Sequence, residues 1–408
     1  MRGGDVVTAV QFNPLAPEMA VDPYPAYQQL REHGPVYEVP GLGIYILSRH
    51  DEVAAFYRDR RLFMRYSDRE TLRYGPEVVD EPFYRYFLQM AHVADPPWHT
   101  ELRKMFAAAF TPNRIGALRA HIKDIGAKLI EDHRDAGGME FISSFAEPFP
   151  RIVIGEMMGV PPDDNEMIGE WALELGPAFE FLPMSPGTKA AVNDRVVRLM
   201  DYFVELAGRR VTDPGDDLYS AMVRSGEESG GRISRETVAA NAVLLYIGGH
   251  ETTSGALGLS LLALHRHPDQ LERLYADPDL IPTATEELLR WDVPTQGTGR
   301  IAGEDVVYGD TTVPAGGLIL AYIGSANHDA SAYDDPDRLD VGRRPSARAL
   351  AFGPGAHQCV GHALSRLEVE VFLELLRERL PRHRPATLDP RFRTFPLLRG
   401  LVNMELTW

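Results

Sequence analysis

Cysteine is nearly absent: one thiol, Cys359, in 408 residues. A lone cysteine closes no internal disulfide and cannot build a four-cysteine zinc or iron–sulfur site. Such usage fits a reducing compartment, and a cytoplasmic protein is expected. Long apolar runs are also missing. The longest, such as "AVLLYIGG", fall well short of the roughly 20 residues that a membrane helix needs. The opening "MRGGDVVTAVQFNPL" has no signal-peptide apolar stretch, so a soluble protein without a membrane anchor is expected. Positive charge is in deficit. Lys and Arg number 42 against 59 Asp and Glu, a formal net charge of −17. Phosphate backbones attract basic faces, so a nucleic-acid partner is not expected.

What is present is an ordinary globular composition, 44% hydrophobic and 25% charged, without repeats or low-complexity tracts. "DPYPAYQQLREHG" predicts a helix from Pro23 to about His33, stopped by Gly34. "VYEVPGLGIYILS" reads as a hairpin around Pro40-Gly41. Helical periodicity then dominates over Arg49–Arg58, Thr100–Phe110, Arg114–Arg134 and Asn193–Arg210. Arg224–Arg232 reads as a surface loop. A long helix is expected from Ser234, its N-cap, to about His265, and another over Pro282–Trp291. A group of strands follows, then a last helix just past Cys359 with Leu364, Leu367, Val371 and Leu375 on one stripe. The fold class is mainly α with small β-sheets.

The cysteine lies in "FGPGAHQCVG", Phe352 to Gly361, just before that last helix. The N–H groups and dipole at a helix start favour a thiolate. Gly353, Gly355 and Gly361 permit the tight turns that bring N–H groups to sulfur. This suits either a cysteine nucleophile or a thiolate metal ligand. A nucleophile needs a base and an oxyanion site, and His357, two residues away, is poorly placed as that base. A colourless protein would favour a hydrolase. The full pattern, with Phe352, Gly353, Gly355, His357, Cys359 and Gly361 in register, resembles the haem-binding loop of the cytochrome P-450 family, the haem-thiolate monooxygenases. The resemblance implies that Cys359 is the axial ligand of haem b iron. It also implies one mostly helical, triangular domain over residues 1–408.

Other segments extend the likeness over nearly the whole chain. "GGHETTSG", Gly248 to Gly255, places two glycines inside the long helix, each costing about 0.5–1 kcal/mol relative to Ala. A flat ligand against Gly248 and Gly249 would explain them; packing glycines are the plainer reading. The segment resembles the family's oxygen-binding motif, with Gly248 where alanine is commoner. By that resemblance Thr252 orients dioxygen and Glu251 feeds protons to it. "EELLR" sets Glu287 and Arg290 one turn apart, by itself an ordinary surface pair. In the family such a pair joins a later arginine to brace the cysteine loop, which implies Arg338 of "PDRL" as the third member. His99 and Arg103 share a helix face in "WHTELRKMF"; with Arg300 and His357 they match the family's haem-propionate contacts.

The resemblance implies insertion of one oxygen atom from O2 into a small-to-medium organic substrate, or its oxidative coupling, as in the tailoring of secondary metabolites. Electrons derived from NAD(P)H would come from a ferredoxin and its ferredoxin reductase, because no flavin or ferredoxin motif follows the last helix. Arg338, Arg343, Arg344 and Arg348 form a basic run that reads either as scattered surface charge or as a docking face for the ferredoxin. A peroxide-driven haem-thiolate enzyme and a non-catalytic haem protein are the alternatives, and Glu251 with Thr252 argues against the first. A monomer is expected. The substrate pocket is expected from Phe83, Tyr84, Tyr86, Phe87 and Met90, from the stretch around Phe179, from Thr295 and Gln296, and from the tail around Leu397. Such an apolar stripe is otherwise core.

Overall fold

The computed structural model describes residues 12–14, 16–64, 70–71, 74–180, 183–344, 349–395 and 397–408. Its centre is the helix Arg235–Arg266, 32 residues long and buried on nearly every face. Ser234 caps it as expected: its hydroxyl accepts from the Thr237 N–H at 3.1 Å. A helix apolar all round is stable only when other helices cover it. Pro148–Met157, Pro186–Thr212, Leu218–Glu228 and the C-terminal helix His362–Arg379 do so. One core cluster runs through all of them, including Phe145, Phe149, Phe203, Tyr246 and Phe372.

The β-structure is minor and lies to one side. Strands β1 (Val36–Val39) and β2 (Ile44–Leu47) form the expected antiparallel hairpin. With β3 (Leu62–Phe63), β5 (Gly297–Ala302) and β8 (Leu318–Tyr322) they make a five-stranded sheet ordered β1-β2-β8-β5-β3. The β2–β8 pair is parallel, the others antiparallel. Strand β4 (Gly138–Glu140), with β9 (Arg384–Pro385) and β10 (Glu405–Thr407), ties the tail to the helical core, and β6 (Val306–Tyr308) pairs with β7 (Thr311–Val313).

Two sequence expectations change. The loop expected at Arg224–Arg232 is helical up to Glu228, because Met222, Val223 and Gly226 bury one helical face. The helix expected over Arg114–Arg134 is two: it breaks between Ala117 and Arg119, then ends at Glu131. No helix among the described residues is long and apolar enough to cross a membrane.

Candidate active site

The cysteine loop is closed by a hydrogen bond from the Cys359 N–H to the Phe352 carbonyl, 2.9 Å. Its two turns need residues with positive φ, Gly353 at 58° and Gly355 at 94°. At Gly355 a Cβ would stand 2.6 Å from the Tyr57 carbonyl oxygen, so any other residue would push the loop off the sheet side of the molecule. The helix starts at His362, three residues past Cys359. Cys359 lines a cavity of about 360 Å³ and is exposed, although protein atoms crowd the thiol on its other sides. Burial pushes the thiol above its ordinary value, while the Gly361 N–H and the Arg103 and Arg366 charges pull the other way. Burial therefore outweighs the helix start, and a bound cation is what would hold the sulfur as thiolate.

The cavity gathers the polar residues expected around it: His99, Arg103, Arg300 and His357 all line it. The His99 and His357 rings lie 4.0 Å apart. Burial, then the neighbouring His99 and arginine charges, holds His357 down at about 3, so both ring nitrogens are available without adding charge. Arg103 donates to the Gln358 carbonyl, and Arg300 to the carbonyls of Phe56 at 3.0 Å and Tyr57 at 3.3 Å. Two guanidiniums and two neutral imidazoles gathered on one cavity suit a ligand with two carboxylates.

The long helix supplies the facing wall. A Cβ on Gly248 would meet nothing within 4 Å, whereas on Gly249 it would strike Ile154 at 2.8 Å. Gly248 keeps the cavity open, and Gly249 lets two helices touch. Thr252 lines the cavity and donates to the Gly248 carbonyl at 2.8 Å, which leaves its lone pairs for a guest. Glu251 points away from the cavity. It is buried and receives Nη1 of Arg393 at 2.9 Å, and the same guanidinium holds the half-buried Glu147 at 3.1 Å. Burial raises Glu251 to about 7 against the pull of Arg393. Sequence reasoning missed Arg393 and Glu147, which are remote in the chain and carry no motif.

Haem fits these residues: a cysteine on the cavity, an open glycine in the helix wall facing it, and cations suited to two propionates. Among the described residues no cluster of three His, Cys, Asp or Glu offers a competing metal site.

Several expectations are corrected. Arg338 is not the third member of the buried pair. Glu287 takes Nε and Nη2 of Arg290 at 2.7 and 2.9 Å, and its Oε1 takes Nε of Arg343 at 3.0 Å. Arg338 is exposed and pairs with Asp335 and Asp340, because its neighbour Leu339 takes the buried position. Arg343 is thereby withdrawn from the basic run as well; Arg344 is exposed, and Arg348 lies outside the described residues. Of the expected pocket residues, Thr295 lines the cavity. Phe83, Tyr84, Phe87 and Met90 are core, and Tyr86 and Phe179 pack against that core. Gln296 is buried between the Tyr27 hydroxyl and the Val293 carbonyl, and Leu397 belongs to the apolar cluster around Tyr27. The residues that reach the cavity instead include Ala91, His92, Leu244 and Leu245, in segments next to the stretches singled out by their aromatics.

Comparison with known proteins agrees with this geometry. Residues 173–380 match the family model described as Cytochrome P450. The chain is 34% identical over 374 residues to a putative cytochrome P450 133B2 of Xylella fastidiosa, covering 92% of this chain and 93% of that protein. It is 34% identical over 371 residues to the 6-deoxyerythronolide B hydroxylase of Saccharopolyspora erythraea, covering 88% of this chain and 89% of the hydroxylase. In structure it resembles P450BioI, solved in complex with a hexadec-9Z-enoic acid-ligated acyl carrier protein, with a TM-score of 0.88, 32% identity, and coverage of 96% of this chain and 100% of that one. With a cysteine loop, a cationic cavity and a glycine–threonine helix wall in one place, the chain belongs to the cytochrome P450 family and is an oxidoreductase of its monooxygenase class.

Proposed function

We propose that Cys359 ligates the iron of haem b, that His99, Arg103, Arg300 and His357 hold its propionates, and that Thr252 and Glu251 manage protons for oxygen insertion into an organic substrate. The observation that carries this reading is that the Cys359 sulfur and Thr252 open on one cavity, while Glu251 lies directly behind that wall. When bound, haem with a thiolate ligand supplies the activation of dioxygen. The protein's share is to hold and move protons. Thr252 anchors its own proton on the Gly248 carbonyl and offers its oxygen lone pairs to a water or guest. Glu251, raised to about 7, is part protonated near neutral pH and can give or take a proton there. Arg393 steadies the charged form, and Glu147 beyond it is partly exposed, which links Glu251 towards solvent. The apolar lining, such as Leu244, Leu245 and Ala256, keeps bulk water from the reacting centre.

Electrons come, in this reading, from NAD(P)H through a ferredoxin and its ferredoxin reductase. The substrate is a small-to-medium apolar molecule of secondary metabolism. Support comes from the apolar cavity and from two relatives, one named 6-deoxyerythronolide B hydroxylase and one solved in complex with an acyl carrier protein ligated to hexadec-9Z-enoic acid. A purely peroxide-driven or non-catalytic haem protein gives no reason for Thr252 at the cavity and a raised acid behind it.

The test is the ratio of peroxide released to NADPH consumed, with a surrogate ferredoxin system, in wild type and Thr252→Ala. The variant should keep its haem and its NADPH uptake but release a several-fold larger share as peroxide. An unchanged ratio would remove Thr252 from proton delivery.

A further inference from the structure

Among the described residues, two buried polar groups without a hydrogen-bond partner belong to side chains lining the cavity: the Glu368 carboxylate and Nδ1 of His92. Glu368 sits on the helix that carries the cysteine loop. His92 belongs to a different wall, the single 3-10 turn Ala91–Val93. Its ring is wedged between aromatic rings, at 5.0 Å from Phe87 and 5.7 Å from Phe179. Phe87 and Phe179 in turn pack on each other at 5.7 Å, and Phe83 stacks on Phe87 at 5.1 Å. The aromatic group is thus a bracket behind the wall, and it fixes the orientation of one imidazole at the cavity surface.

We infer that His92 is the substrate's hydrogen-bonding partner, reading a neutral oxygen (a hydroxyl or carbonyl) on an otherwise apolar molecule. The inference deepens the haem monooxygenase reading above and rests on it. Nδ1 is sealed from water, so contact with a guest falls to Nε2. Burial holds His92 down at about 4, so the ring meets the guest uncharged. A neutral imidazole favours a neutral oxygen over a carboxylate, which would need a cation in this apolar surround. Because the ring is already immobilised, little side-chain entropy is lost on binding. Leu244, Leu245 and Ile154 line the same cavity with carbon, so an oxygen placed at His92 loses less than one placed against them.

Imidazoles that bind haem iron fix one end of a probe, which makes the test independent of the unknown substrate. The holoenzyme is titrated with 1-alkylimidazoles from butyl to dodecyl and with their ω-hydroxy counterparts, and Kd is read from the Soret shift. The same is done for His92→Phe, which keeps an aromatic ring between Phe87 and Phe179, and His92→Gln, which keeps hydrogen bonding. At one or more chain lengths the terminal hydroxyl should favour wild type over His92→Phe by about three- to tenfold, the range of one neutral hydrogen bond. His92→Gln should retain part of that preference. Equal hydroxyl-to-alkyl ratios in wild type and His92→Phe at every length would overturn the inference. So would a His92→Phe protein that loses haem with those ratios unchanged, which would assign His92 to the haem instead. No Soret response of wild type to any imidazole would overturn the haem reading itself, and the inference with it.

Discussion

Glu251 shows how one residue's surroundings decide its use. In water its carboxyl would be ionised at neutral pH; burial behind the cavity wall lifts it to about 7, and Arg393 limits the rise. The direction of the pH effect follows. Below about 7 the folded protein holds the proton that delivery needs, and above about 7 that proton is progressively missing. Turnover limited by proton delivery should therefore fall as pH climbs through 7, and Glu251→Gln should be slow with that limb absent; the check is NADPH-driven turnover from pH 6 to 8.5. The cations by the cysteine loop have a different task. Arg103→Ala or Arg300→Ala should leave a buried propionate without its partner, at a penalty of about 1–3 kcal/mol. Haem should be lost faster to a scavenging globin, while the haem that remains keeps its thiolate spectrum. Unchanged haem loss in both variants would reject the assignment.

At the scale of elements, the loop that carries Cys359 stands on a brace at some distance from it. Glu287 is almost fully buried and satisfies two arginines, one on its own helix and one fifty-six residues on. Arg290 continues to the carbonyls of Asn327 and Pro336, and the Asn327 side chain receives the Leu350 N–H just ahead of the loop. Leaving a buried charge uncompensated costs about 3–5 kcal/mol, an upper bound for Arg343→Ala because Glu287 keeps Arg290, while exposed pairs are worth less than about 1 kcal/mol. Arg343→Ala should accordingly lower the urea midpoint far more than Arg338→Ala. Equal losses would contradict the reassignment from Arg338 to Arg343. That reassignment also marks where the sequence stopped being legible. Both arginines lie in a loop of irregular backbone, where no period tells inward from outward. The helices were readable because their apolar stripes repeat, and the cysteine loop because its glycines sit at positions that only glycine tolerates. The substrate wall was misread for a related reason: a run of aromatics announces burial, yet Phe83 and Phe87 are buried in core while the smaller Ala91 and the polar His92 reach the cavity.

At the scale of the whole molecule, the chain is mostly helical, and in the proposed reading it folds around one haem held by its lone cysteine. The fold and family follow from the sequence and are matched along the chain; the identity of the substrate does not, because the cavity wall is assembled from residues far apart in sequence. Everything proposed for the cavity depends on Cys359 being the residue that would hold the haem iron. The direct measurement is the absorption spectrum of the reduced, carbon monoxide-treated protein, taken for wild type and for Cys359→Ser. Wild type should be red, with the strongly shifted Soret band that a thiolate ligand gives, and Cys359→Ser should lose that band even where it still holds haem. A wild-type protein that neither contains nor takes up haem, or a thiolate-type band that survives in Cys359→Ser, would contradict it.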